Sequence, residues 1–542
     1  MKKPLLSALL TCILSSAFAQ YSFINFDINP SGNSNPHDLV NFNGRLYFAA
    51  TTDSTGDELW VSDGTAAGTK LVADIDTGAG SSTPHRFTEL NGKLLFFANP
   101  YKLYSTDGTT AGTVLLANTL GYTYISGYPP TIARLGNKLY FAAGVASNEL
   151  WVTDGTVSGT YKITTFAAHS TPSSISSISV CYGKLYIGAP TSHYDRGLWI
   201  SDGTASGTVL LKDMNGDNII DPSMFTEYKN KVYFIAYSIA GGYDLWAADS
   251  TGAGPKQITH IASRTRGLAP AYHPVKIYNN EMYFNGWCGM CVTVDNPPGL
   301  YKSDGTDTGT VVVHQLYNNY IDNKNLITTN IEYNNKLYFT VQNFDSSGLW
   351  YTNGTEDATV DITSNIWPKS IPHRLSKYNN KLFFSAYAAP WEYELFCSDG
   401  TTAGTKVLHP PGAKKNALQD ASVFYGAVES NGLLFFMAEY TNTGFELWAL
   451  KDSSLSIGNN AQPLPAAITL YPNPANHNFT IKTTTVFKTG SVTLTDVTGH
   501  VVKTEKLYSN EQTISLQGIS SGMYIADVWL DGKRSTQKLI IK

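Results

Sequence analysis

One phrase recurs along most of this chain and restricts what it can fold into. Glu58-Leu59-Trp60-Val61-Ser62-Asp63-Gly64-Thr65 returns at residues 149–156, 197–204 and 394–401. Weaker copies occupy 103–109, 245–251, 300–306 and 349–355, and Glu446-Leu447-Trp448-Ala449-Leu450 stops short of the turn. Upstream of each copy lies a second phrase, of which Asn43-Gly44-Arg45-Leu46-Tyr47-Phe48-Ala49-Ala50 is the first of nine. The spacing averages about 48 residues. Self-similarity at such a period marks a repeat architecture, and this period is close to one propeller blade.

Four strand signals fit inside one period. In the first repeat they are 38–42, 45–50, 58–62 and 70–75, separated by Asn43-Gly44, a polar loop and Asp63-Gly64-Thr65. The second strand is apolar throughout rather than alternating, as befits a strand covered on both faces. The expected fold is therefore all-β: a propeller of four-stranded blades, nine in number, with eight blades plus one divergent unit as the alternative. The ninth repeat offers only three strands, near 422–425, 433–438 and 446–450. Residues 23–28 read as its missing fourth, so pairing the two ends would remove an open sheet edge.

The Asp-Gly-Thr turn has a mechanical logic. A short carboxylate can accept hydrogen bonds from amides two or three residues on, and glycine tolerates a positive φ. Trp60, Trp151, Trp199, Trp246, Trp350 and Trp448 hold one strand position, which favours wedges between blades over a row of sugar-stacking rings. The phrase resembles the ELWxxDGT repeat of exported bacterial proteins, and its turn resembles the Asp-box hairpin of sialidase-type propellers. Two copies depart from it: Asp249-Ser250-Thr251 lacks the glycine, and Asn353 replaces the aspartate. Those two hairpins should be looser.

The ends of the chain carry addresses. Lys2-Lys3, an apolar run over residues 5–14 and Ala17-Phe18-Ala19 form a signal-peptide pattern over 1–19. The propeller then spans 20–450, a polar linker 451–467, and a small C-terminal β-sandwich 468–542. The spacing of Leu470-Tyr471-Pro472-Asn473-Pro474, Val492-Thr493-Leu494-Thr495-Asp496-Val497-Thr498-Gly499 and the closing 537–542 resembles the type A sorting domain of the type IX secretion system in Bacteroidota. That resemblance implies passage through the type IX machinery, removal of the domain, and release or attachment to the outer cell surface. No apolar run reaches the ~20 residues of a membrane helix. A charged fraction of 15% and a net charge of −5 argue against a nucleic-acid partner.

Candidate chemistry is sparse. Asp213, Asn215, Asp217 and Asp221, with the carbonyl of Ile219, have the spacing of a calcium loop, since calcium takes six to eight hard oxygens. The loop resembles that of integrin-type propellers, except that Asn218 stands where the family has glycine. A structural Ca2+ is expected there; a solvated acidic loop is the plain alternative. His37, His85, Arg86, His373 and Arg374, with His273, precede first strands and should gather at one mouth of the channel. There they could bind an anionic or sugar ligand, or simply cap their own turns. Cys288 and Cys291 read as a local disulfide, with zinc or redox chemistry as alternatives; Cys181 and Cys397 read as small core residues. No Gly-x-Ser-x-Gly, His-Glu-x-x-His or phosphate loop is present. Two functions stay open: a module binding glycan or protein, and a propeller hydrolase or lyase acting on polysaccharide.

Overall fold

The computed structural model describes residues 21–542 apart from 100, 120–130, 145–146, 167–173, 192–195, 239–241, 252–253, 261–265, 269–274, 289–298, 316–325, 343–346, 365, 367–371, 390–391, 411, 415–416, 419–425, 453–467, 484–486, 488, 497–500 and 531–532. The signal-peptide residues, His273 and Cys291 thus lie outside the described residues. Two compact units separate, Phe23–Lys451 and one containing Asp452–Lys542.

Among the described residues the first unit holds nine antiparallel sheets. Blade 1 is built from His37–Phe42, Arg45–Thr52, Gly56–Ser62 and Lys70–Ala73. Seven more blades follow the same order, with first strands beginning at His85, Ile132, Ser177, Ile220, Arg266, Leu326 and His373. In blade 6 two described segments, Arg266–Leu268 and Lys276–Tyr278, pair in turn with the second strand where other blades have one first strand. Blade 9 has Val428–Ser430, Leu433–Ala438 and Glu446–Asp452 from the end of the unit, and its fourth strand is Tyr21–Phe26. The expected first strand at 422–425 lies outside the described residues; the described first strand, Val428–Ser430, leads into the Asn431-Gly432 turn, which sets its register with the second.

First strands of neighbouring blades touch each other, so they line the centre and the fourth strands form the rim. Apolar clusters fill the space between consecutive blades. Leu46 and Phe48 meet Phe435 and Leu447 of blade 9, Tyr47 meets Leu94 and Phe96 of blade 2, and Tyr338 meets Leu382 and Phe384 of blade 8. Blades 8 and 9 are joined by hydrogen bonds from the Tyr378 hydroxyl to the Gly432 carbonyl (2.8 Å) and from Ser376 to Ala427 (2.7 Å). The tryptophans are wedges: Trp60, Trp151, Trp199 and Trp350 each pack on the cluster between their own blade and the preceding one.

The turn explains its own sequence. Asp63 Oδ1 accepts from the Thr65 amide (2.9 Å) and hydroxyl (2.7 Å), and Asp107, Asp154, Asp202, Asp304 and Asp399 repeat this. Its carboxylate lies over Gly68, where a Cβ would come within 1.9 Å of it. The leading glycine has a second task. Gly203, at φ +92, receives the Tyr140 hydroxyl of the preceding blade, 2.2 Å from where a Cβ would stand. At blade 5 Ser250 replaces this glycine, and the buried Tyr186 hydroxyl that would dock there has no hydrogen-bond partner. The two departing hairpins, Asp249-Ser250-Thr251 and Asn353-Gly354-Thr355, precede the shortest fourth strands, Lys256–Gln257 and Val360–Asp361. The first nonetheless keeps its aspartate bonds, Asp249 Oδ1 accepting from the Thr251 amide and hydroxyl at 2.8 and 2.6 Å, and only in the second are they longer, Asn353 holding Thr355 at 3.2 and 3.1 Å.

The second unit is a sandwich. Ile468–Tyr471, Asn478–Thr483 and Glu511–Ser515 form one sheet; Val501–Leu507, Gly490–Asp496, Gly522–Leu530 and Lys533–Ile541 form the other. Phe479, Ile481, Val492, Ile514, Ala526 and Leu539 are among its core.

Candidate functional site

Three arrangements bear on function: the seam that closes the ring and the two ends of its channel. At the seam, Glu446 is fully buried and its carboxylate accepts from the Ile28 amide (2.9 Å), the Ser34 amide (3.1 Å) and the Ser34 hydroxyl (2.6 Å). Glu58 does the same within the chain, accepting from Ile75, Asp76 and Ser82. At Glu58 and Glu446 the first letter of the recurring phrase is thus a clasp joining a third strand to the segment entering the next blade, whereas Glu149 bonds Trp151 and Lys162 of its own blade. Burial pushes the Glu446 carboxyl up to about 7 and raises that of Glu58.

The upper mouth holds the histidines. His37, His85 and His373 pair with their second strands at one repeat position, each followed by a bulge and a residue at positive φ: Asp38 (50), Arg86 (56) and Arg374 (53). His37 bridges Asp38 and Asp57 at 3.0 Å each. Burial alone would lower its imidazole, but these two carboxylates outweigh it and push it up to about 9. Asp38 also accepts from the Arg86 amide (3.0 Å). His85 faces the Thr83 carbonyl (2.9 Å) and stacks on Phe97, and burial lowers its ring. Arg86 reaches the Thr131 hydroxyl at 3.4 Å. His37, Asp38, Asp57, His85 and Arg86 come together; His373 and Arg374 stand on blade 8, with His373 beside Tyr393.

The calcium-type loop is a tight turn between blades 4 and 5. Asp213 Oδ1 accepts from the amides of Asn215 and Asp217, both at 2.8 Å. Ile219 is buried, and Asp221 sits in the next strand with its carboxylate on the Arg196 guanidinium at 3.2 Å. Among the described residues no three acidic, histidine or cysteine side chains converge as a metal group. Calcium would have to draw Asp221 away from Arg196.

The lower end of the channel was not expected from sequence. Each first strand ends there in a turn to the second, and blades 5 to 8 share a pattern: Tyr228, Tyr278, Tyr333 and Tyr378 followed by two residues that open the second strand. Each tyrosine hydroxyl donates to a turn carbonyl of the next blade, Asn280 (2.5 Å), Asn335 (2.7 Å), Asn380 (2.7 Å) and Gly432 (2.8 Å). Phe42, Leu90, Leu135 and Cys181 hold this place in blades 1 to 4 and have no hydroxyl to give. The latched turns of blades 6 to 9 surround a cavity of about 710 Å³. Lys276, Glu332, Lys377 and Glu429 contribute one charge per blade, alternating in sign, and Asn334, Asn335, Asn379 and Asn380 also line it. Glu332, Lys377 and Glu429 are exposed and Lys276 is half-buried. No ion pair joins these four among the described residues.

Residues 469–542 match the secretion system C-terminal sorting domain. The protein is exported through the type IX secretion system to the cell surface or beyond, and no helix among the described residues is long and apolar enough to cross a membrane. No curated protein matches the chain. Among solved structures it is similar to PorZ, a surface component of the type IX secretion system of Porphyromonas gingivalis, at 12% identity over 94% of this chain and 81% of that one, with a TM-score of 0.22. The extracellular domain of a hybrid two-component system from B. thetaiotaomicron matches at 10% identity over 96% and 98%, TM-score 0.25. Prolyl oligopeptidase B from Galerina marginata matches at 14% over 78% and 55%, TM-score 0.39.

Proposed function

We propose that the propeller is a binding module for an extracellular glycan, carried outward by its sorting tail, within the family of exported ELWxxDGT-repeat proteins. The cavity at the lower channel end supports this reading best. It is open, polar and large enough for a few sugar rings, since small-ligand sites span roughly 300–1,000 Å³. It also joins donors and acceptors that no neighbouring side chain satisfies. The histidine mouth is the lesser candidate, because His37 and His85 are already engaged with carboxylates, a carbonyl and an aromatic ring. A hydrolase would need carboxylates paired across a cleft, one of them held protonated. Among the described residues the raised carboxyls are instead Glu58 and Glu446, which are buried, and Asp361, which is half-buried, and all three are bonded to amides and hydroxyls.

A glycan array followed by mass analysis of the bound material tests the proposal. Ligand retained intact is the expected result; shortened chains would favour the hydrolase or lyase, and an empty array with capture of a surface protein would favour a protein ligand. Calcium at Asp213, Asn215, Asp217, Ile219 and Asp221 and a Cys288–Cys291 disulfide stand as further proposals on their spacing alone.

A further inference from the structure

The order of charges around the lower cavity narrows the ligand class. The inference rests on the glycan-binding reading above. Lys276, Glu332, Lys377 and Glu429 follow one another on blades 6, 7, 8 and 9. Lysine is a donor only and an ionised glutamate is an acceptor only. A group that satisfies both neighbours must donate and accept at once, and a sugar hydroxyl does so. A carboxylate placed between them bonds the lysine and is repelled by the glutamate; an ammonium does the reverse. The lining asparagines donate and accept from one side chain and add no bias toward either charge. A ligand of a single charge sign therefore gains at two blades and loses at two, and like charges in a recognition site are a means of exclusion.

We propose that this cavity selects an uncharged, hydroxyl-rich oligosaccharide and rejects both uronate polymers and amino-sugar polymers. The test measures binding of the full mature chain to three probes of equal length by calorimetry: uncharged hexose oligomers, galacturonate oligomers and glucosamine oligomers. Two charge swaps, Glu332→Lys and Glu429→Lys, are tested separately. Both sites are exposed, so unchanged melting of each variant establishes that it folds.

The expected result is tightest binding of the wild type to the uncharged oligomers, with little dependence on salt. Each swap should weaken that binding about tenfold or more, the scale of a lost hydrogen bond to a charged group, and strengthen binding of galacturonate. Preference of the wild type for either charged oligomer overturns the charge-order argument while leaving glycan binding in place. Swaps that fold and alter nothing place the site elsewhere. Failure to bind any of the three overturns both the inference and the glycan reading beneath it.

Discussion

Ser34→Ala should unfasten the seam without unfolding the ring. The Ser34 hydroxyl is buried and donates to Glu446 at 2.6 Å across 412 residues of sequence. Its amide keeps both acceptors, Glu446 and the Phe445 carbonyl at 3.0 Å, so the substitution removes the hydroxyl's bond to Glu446 with its longer contact to the Phe445 carbonyl (3.3 Å) and strands no backbone group. At pH 8, where Glu446 carries its charge, such a bond contributes about 1.5–3 kcal/mol. A loss of about 2 kcal/mol raises the population of the open seam roughly thirtyfold. Hydrogen exchange read by mass spectrometry should show the segments 21–34 and 446–452 exchanging faster by about that factor, because local openings are drawn from the least protected elements. Blades 3 to 6 should keep their protection. Ser82→Ala is the matched control: it removes the same 2.6 Å bond to Glu58 over 24 residues and should expose only the entry to blade 2. Unaltered exchange at 21–34 would refute the clasp, and uniform loss of protection in all blades would refute the idea that the seam opens on its own.

Four further outcomes are expected. Glu446 binds its proton more tightly when folded, at about 7 against 4.5, so closure should lose up to about 3 kcal/mol as pH rises from 4.5 to 7, and Glu446→Gln should flatten that part of a denaturation profile. His37 is displaced upward as a base, from 6.5 to about 9; its contribution is complete below pH 6.5, fades through pH 9, and should vanish from the profile of His37→Asn. Gly203→Ala should cost about 2 kcal/mol or more in urea unfolding, because its Cβ meets Tyr140, whereas Gly183→Ala, with φ +71 and nothing within 4 Å, should cost about 1 kcal/mol. For calcium, the melting temperature with and without chelator should differ in the wild type and not in Asp217→Ala; no difference in the wild type removes the proposal.

The fold was legible because a propeller repeats its instructions. Nine apolar second strands, each followed by a turn, specify nearly the whole ring, and the missing fourth strand of blade 9 points to residues 23–28, two residues beyond the observed Tyr21–Phe26. The connections between blades were much less legible. Glu58 and Glu446 read as polar strand starts, yet they are fully buried because amides from another segment converge on them. Tyr228, Tyr278, Tyr333 and Tyr378 read as apolar strand ends, and only the next blade's carbonyls reveal their hydroxyls as latches. The lower cavity draws one charge from each of four repeats, and no window of sequence contains two of them. Asp221 fits a calcium spacing, but its carboxylate lies against Arg196, fifteen or more residues outside the loop.

Because the closing sheet takes Tyr21–Phe26 from one end and Glu446–Asp452 from the other, no shorter length of chain can finish the circle. A polypeptide halted anywhere before Glu446 is a horseshoe with a bare strand at each tip, open to proteases and to other strands. The residues that complete it are the last ones ahead of the linker and export tail. The integrity of the seam therefore reports that the whole propeller has been made, and it marks where a permuted chain could be rejoined and reopened at another blade.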